Sequence, residues 1–188
     1  MEDKILIAEI VDGQEASYAC LYNKYVKDLF SYGMGLGFER EVIKDAIQDV
    51  FLKLLSNTKI LKEVTNVKFY LLRSLKNRLL DIHKNKIIYN EIDAEGPEFS
   101  IKVSVLDDLI EKEDREILEH RIQNLLSNLT NRQREAISLR YMHEMEYEEI
   151  ALLLEMTPKA TRKLVSRAME RLRDQNLTLI YFLLFCII

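Results

Sequence analysis

The stretch that decides the fold is LTNRQREAISLRYMHEMEYEEIALLLEMTPKATRKLVSRAMERLR, Leu129–Arg173. Thr130 followed by Gln133 fits a capping box, in which the hydroxyl and the amide each satisfy an orphan backbone N–H. It predicts a helix running to about Met142. A short helix follows over about 147–154. Thr157 then reads as an N-cap, with Pro158 at the first helical position, where its missing N–H costs nothing. That helix should extend to about Asp174. Two helices joined by a three-residue turn have helix-turn-helix spacing.

The chemistry sits on the second of the pair. On a wheel of roughly 100° per residue, Ala160, Leu164, Ala168 and Leu172 lie on one face. Lys159, Arg162, Lys163, Ser166 and Arg167 lie broadly opposite. One face can pack on a domain while the other presents cations and a hydroxyl, as a helix in a DNA major groove requires. Taken alone, the pattern also describes an ordinary amphipathic helix with a solvated face.

Outward toward the N-terminus, apolar residues recur at helical spacing. Residues 3–11 read as a short helix, and Asp12 is a candidate N-cap for the next. From Glu15 to about Leu36 the apolar set is Ala16, Ala19, Cys20, Tyr22, Val26, Leu29 and Phe30. From about Glu39 to Leu55 it is Val42, Ile43, Ala46, Val50, Phe51 and Leu54. From about Val67 to Lys86 it is Phe69, Leu71, Leu72, Leu75, Leu79 and Ile82. Short joints between such helices make one bundle, residues 1–87. Residues 88–105 hold the Gly96-Pro97 pair and no sustained period, and read as an acidic linker. Residues 106–175 form the second domain, opened by an acidic helix over about 106–127. Residues 176–188 are an apolar tail. The fold class expected is all-α, with two small helical domains.

Composition agrees. Five Gly and two Pro among 188 residues leave few turn-makers, and 48% apolar residues allow a buried core. The net charge of −4 argues against a nucleic-acid binder until its distribution is read. Residues 68–86 carry six Lys/Arg against Asp81, and residues 157–173 carry six against Glu170. Between them, residues 87–119 hold eleven acids against three bases. The first basic segment interleaves its cations with Tyr70, Asn77 and His83, a mixture suited to unstacked or single-stranded DNA. It is equally the pattern of a solvated helix face.

Other signals lead nowhere catalytic. Gly33, Gly35 and Gly37 spell GxGxG, but no strand precedes them. His83, His120 and His143 lack ligand spacing with Cys20 and Cys186, so neither a metal nor another cofactor is expected. Glu148 and Glu149 are adjacent on a helix and face different directions. No nucleophile–base pair is found, and the chain is not expected to be an enzyme. No secretory signal is read at the N-terminus, so a cytoplasmic protein is expected. The tail, at roughly 18 Å as a helix, is too short to cross the ~30 Å hydrocarbon core. It is read as a packed last helix, or alternatively as a docking strip for an inhibitor protein or a membrane surface.

Three ordered blocks then make a family resemblance. DAIQDVFLKLL (Asp45–Leu55), FYLLRSLKNRLLDIHK (Phe69–Lys84) and Leu129–Arg173 resemble regions two and four of bacterial sigma factors. The lack of anything substantial between them resembles the extracytoplasmic-function subfamily of the sigma-70 type. The resemblance implies a factor that binds core RNA polymerase at its beta-prime clamp and beta flap and directs initiation at promoters. It assigns Asp45, Gln48, Asp49, Phe51 and Lys53 to the polymerase clamp. It assigns Tyr70, Arg73, Asn77, Arg78 and Lys84 to the −10 element of promoter DNA. It assigns Lys159, Arg162, Lys163, Ser166 and Arg167 to the −35 element. It also implies control by an anti-sigma factor, often membrane-bound, and no small-molecule substrate. The chain departs from the family at Glu155, where a turn Gly is usual, at Glu146, where a Ser or Thr cap is usual, and at Leu164, where Arg is common. The rivals are an ordinary helix-turn-helix regulator with a ligand-sensing bundle and a helical adaptor for acidic partners.

Overall fold

A computed structural model describes residues 3–57, 62–90, 98–101 and 112–175. The regular structure among the described residues is all helical, with no strand among them. The chain divides into two compact units, Met1–Pro97 and Glu98–Ile188.

The first unit contains α1 (Asp3–Val11), α2 (Glu15–Gly35), α3 (Arg40–Ser56) and α4 (Val67–Asn90). Its core is a seam of large side chains: Leu21, Tyr25, Leu29 and Tyr32 from α2, Ile43, Ile47, Val50, Phe51 and Leu54 from α3, and Leu71, Leu72, Leu75 and Leu79 from α4. The buried stripe of α2 differs from the one expected. Ala16, Ala19 and Cys20 are exposed, whereas Leu21 and Tyr25 are sealed. Burial gain scales with apolar area, so bulky residues spaced four, four and three apart set the phase and small ones follow. Phe51 lies against Tyr22, with ring centroids 4.9 Å apart, and meets Tyr18 edge-on at 6.1 Å.

Asp12 does not cap α2. The N-cap is Gln14, with no side-chain cap bond. The entry is held by α1 instead: Lys24 Nζ lies 2.5 Å from Asp3, and the Tyr25 hydroxyl donates to the same carboxylate. Burial first, and then that carboxylate, push the Tyr25 phenol well above its ordinary value. The GxGxG run has a packing role at its ends. A Cβ on Gly33 would come within 2.8 Å of Ile43, so the missing side chain lets α2 and α3 approach. Gly37, at φ +81°, turns the chain out of α2. Asn66 starts α4 by accepting the Phe69 N–H at 3.0 Å, and the helix runs on to Asn90, past the expected end at Lys86.

The second unit contains α5 (Lys112–Ser127), α6 (Asn131–Ile137), a wide π turn (Ser138–Met142), α7 (Tyr147–Leu153) and α8 (Pro158–Gln175). The expected capping box is formed: the Gln133 N–H donates to Thr130 Oγ1 at 3.3 Å, and the Thr130 N–H to Gln133 Oε1 at 3.1 Å. The helix it opens changes to π geometry at Ser138 rather than continuing as α to Met142.

Part of the segment read as linker belongs here. Phe99 and Ile101 are each 4% exposed. Arg134, itself 7% exposed, donates through Nε to the Phe99 carbonyl at 2.7 Å, while Gln123 donates to the Ile101 carbonyl at 2.9 Å. The unit boundary after Pro97 thus falls inside residues 88–105. A segment outside regular structure with two buried apolar residues needs its backbone groups satisfied, and side chains from α5 and α6 fill that role at the Phe99 and Ile101 carbonyls. Residues 88–90, also read as linker, are the end of α4, whereas residues 91–97, 102–105 and the tail 176–188 lie outside the described residues.

The joint between α7 and α8 resolves the missing turn glycine. Glu155 itself adopts φ +53°, a left-handed conformation costly for a residue with a Cβ. The Met156 N–H bonds the Ala151 carbonyl at 2.8 Å, and the Ala160 N–H bonds Thr157 Oγ1 at 3.2 Å. Thr157 is therefore the cap of α8. Before α7, the Glu149 carboxylate reaches back to accept the Glu146 N–H at 3.0 Å, so a cap forms without Ser or Thr.

Candidate nucleic-acid interface

Helix α8 is anchored through Thr161, Val165, Ala168 and Leu172, all under 5% exposed. This face is rotated slightly from the expected one, because Ala160 and Leu164 are only half-buried. Thr161 enters the buried face because its hydroxyl donates to the Thr157 carbonyl at 3.1 Å. Lys159, Arg162, Lys163, Ser166 and Arg167 are all exposed. Spaced at three and four, they form one surface of four cations and a hydroxyl, opposite the anchor. Arg171, exposed on the same helix, is tied to Gln133 Oε1 at 3.1 Å and braces α8 against α6.

The α8 cations are not all equivalent. Arg162 Nη2 lies 2.5 Å from Glu148 on α7, and its guanidinium carbon lies 5.6 Å from the centre of the Tyr147 ring. A second guanidinium, Arg140, lies 4.9 Å from the same ring and donates to the Met145 carbonyl at 2.7 Å. Neither Tyr147 nor Glu148 was among the residues expected to serve the site. Their sequence signal is Tyr-Glu at the start of the first helix of the pair, and only the turn geometry brings it to Arg162.

In the first unit, Arg73, Asn77, Arg78 and Lys84 are exposed on α4, and Tyr70 is half-buried. Arg73 lies 6.0 Å from the centre of the Phe69 ring. Arg78 grips Asp49 of α3 twice, Nε at 2.8 Å and Nη2 at 2.7 Å from the same carboxylate oxygen. A shallow groove lined by Asp49, Lys53, Asn77, Arg78 and Asp81 runs between the two helices. The residues assigned to DNA and those assigned to polymerase therefore meet at one ion pair.

On α3, Asp45, Gln48, Asp49 and Lys53 make an exposed stripe. Phe51 does not join them: it is 0% exposed and belongs to the core, so it cannot touch a partner. Its neighbour Leu52, 61% exposed, presents the apolar surface in that stretch. The misassignment has a plain cause. A helix turns each successive side chain by roughly 100°, so the aromatic residue and its neighbour cannot share a face.

Among the described residues there is no group of three or more His, Cys, Asp or Glu side chains that could hold a metal. Nor is any helix among them long and apolar enough to cross a membrane.

Residues 119–172 match the family described as Sigma-70, region 4. Over 156 residues the chain is 22% identical to the ECF RNA polymerase sigma factor SigM of Bacillus subtilis (strain 168), a match spanning 81% of this chain and 91% of that protein. Its fold is similar to CnrH, solved in complex with the cytosolic domain of CnrY, with a TM-score of 0.58 and 19% identity over 92% of this chain and 96% of that one. It is also similar to the sigma factor RpoE of Bartonella quintana, solved with the anti-sigma factor NepR, with a TM-score of 0.59 and 19% identity over 84% and 94%. The chain is therefore all-helical, carries a helix-turn-helix over residues that match the Sigma-70, region 4 family, and is similar along most of its length to an extracytoplasmic-function sigma factor.

Proposed function

We propose that this chain binds core RNA polymerase and directs initiation at promoters whose −35 element is read by α8 and whose −10 element is opened and read along α4. The observation that carries the reading is the exposed row Lys159, Arg162, Lys163, Ser166 and Arg167, set opposite a fully packed anchor. Such a row supplies phosphate contacts and base-edge donors at once. On α4, Arg73, Asn77, Arg78 and Lys84 with Tyr70 combine cations with stacking and amide groups, as a melted strand requires. On α3, Asp45, Gln48, Asp49 and Lys53, with Leu52 in place of Phe51, are the surface offered to the polymerase clamp.

An anti-sigma factor is the natural second partner, since RpoE of Bartonella quintana was solved with one. The two-part division of labour follows the two compact units, the first for polymerase and −10 DNA and the second for −35 DNA.

Run-off transcription with core RNA polymerase over a genomic fragment library, with and without the protein, tests this directly. New start sites sharing upstream −35 and −10 motifs are expected. Unchanged starts, with the protein still shifting duplex DNA by itself, would replace the reading with that of a plain helix-turn-helix regulator.

A further inference from the structure

An acidic side chain on a DNA-facing surface requires a reason, because it repels phosphate. Glu148 is exposed beside the cationic row of α8 and is bonded to Arg162 at 2.5 Å. Tyr147 adds a second constraint, its ring centre 5.6 Å from the same guanidinium carbon. Tyr147 is itself held in place by Arg140, which is fastened to the Met145 carbonyl. The long Arg162 side chain, which would otherwise sample many rotamers, is thus directed by one carboxylate and one ring.

We infer that Glu148, assisted by Tyr147, is a specificity-determining positioning residue, holding Arg162 for a guanine edge in the major groove and away from the phosphate backbone. This rests on the reading that α8 recognises the −35 element. Two consequences of the geometry point to guanine. Glu148 takes one N–H of the guanidinium and leaves the others free, and guanine is the base whose O6 and N7 accept two parallel N–H donors from arginine. The carboxylate also places a negative charge beside Arg162, which disfavours a phosphate as the alternative ligand. Pre-ordering the side chain lowers the entropy lost when the base contact forms. Among the described residues no carboxylate pairs with Lys159, Lys163 or Arg167, and these supply the sequence-independent contacts.

The test is run-off transcription by the reconstituted holoenzyme on a promoter library randomised across the −35 element, using wild type, Glu148→Ala, Glu148→Gln, Arg162→Ala and the double variant. Arg162→Ala should abolish the preference for guanine at one position. Glu148→Ala should lower that preference about two- to five-fold, the span that an exposed ion pair can fix, with total transcription from non-cognate promoters unchanged or higher. Glu148→Gln, which keeps an acceptor but loses the charge, should fall between, and the double variant should match Arg162→Ala. A purely structural role at the start of α7 would lower the melting temperature and weaken all promoters equally without moving the base profile. That result would overturn the inference while leaving the −35 reading intact. A change at a different base that persists in the Arg162→Ala background would overturn it too, since Glu148 would then read a base itself. If Arg162→Ala leaves every upstream base preference unaltered, the −35 role of this side chain falls, and the inference with it.

Discussion

Replacing Arg134 by alanine should unfasten residues 98–101 and destabilise the whole second unit. The guanidinium is 7% exposed and reaches acceptors from three segments. It bonds Phe99 O at 2.7 Å, Leu129 O at 2.8 Å and Leu126 O at 3.3 Å, as well as Asn131 Oδ1 at 2.5 Å and the Glu98 carboxylate. A hydrogen bond from a charged donor is worth about 1.5–3 kcal/mol, so three carbonyls set a ceiling of several kcal/mol. Two effects reduce it. The Glu98 side chain is 74% exposed, so its pairing adds little, and the Phe99 carbonyl can reach water if its segment peels away. The expected loss is about 3–4 kcal/mol, in the range for breaking a buried charged network. Arg134→Lys should recover only part, because a single ammonium cannot span the carbonyls. Urea denaturation with hydrogen exchange resolved by peptide is the assay, since it separates the two units. Protection should fall in 98–101 and throughout α5 and α6. A loss below about 1 kcal/mol, or one confined to residues 98–101, would refute the reasoning.

Glu155→Gly should stabilise the second unit by about 1 kcal/mol, because it relieves a left-handed residue that carries a Cβ; thermal melting checks this. Phe51→Ala should cost about 3–5 kcal/mol, whereas Leu52→Asp should leave the melting temperature nearly unchanged and weaken binding to core polymerase in a pull-down titration. Tyr25 holds its proton more tightly folded than unfolded, so its contribution is complete below the ordinary value of 10.0 and is lost as pH rises above it. Tyr25→Phe should therefore show a smaller fall in melting temperature between pH 9 and 11 than wild type, in melts run over that range.

The sequence was most informative where one short signal controls one local geometry. Thr130 with Gln133, and Thr157 before Pro158, each start a helix because the side chain needed lies within three residues of the group it satisfies. The exposed row of α8 was legible for the same reason: cations at three and four can only share a face. The α2 stripe was misread because alanine and cysteine count as apolar yet gain little from burial, so Leu21 and Tyr25 set the phase. Phe51 was assigned to a partner surface by motif position, which does not say which way a side chain points. Phe99 and Ile101 were invisible in principle. A short irregular segment has no period, and its anchor, Arg134, is thirty-five residues away. Glu148 was hidden similarly, since only the left-handed turn at Glu155 folds it back beside Arg162.

If α4 meets a nucleic-acid strand as proposed, the Asp49–Arg78 pair carries a thermodynamic consequence for that binding. A lone surface arginine that meets a phosphate liberates a condensed counterion from the nucleic acid, and that release makes affinity fall steeply with salt. Arg78 already has a carboxylate on two of its nitrogens. A phosphate must share that guanidinium with Asp49 or displace it, so the gain from counterion release is partly cancelled by the neighbouring carboxylate. Neutralising that carboxylate with Asp49→Asn should steepen the salt dependence of single-strand binding by up to about 0.7 in the log–log slope. On the proposed reading of α4, the chain's own anions moderate its affinity for nucleic acid, and the fewer of its cations that are free, the less that binding responds to ionic strength.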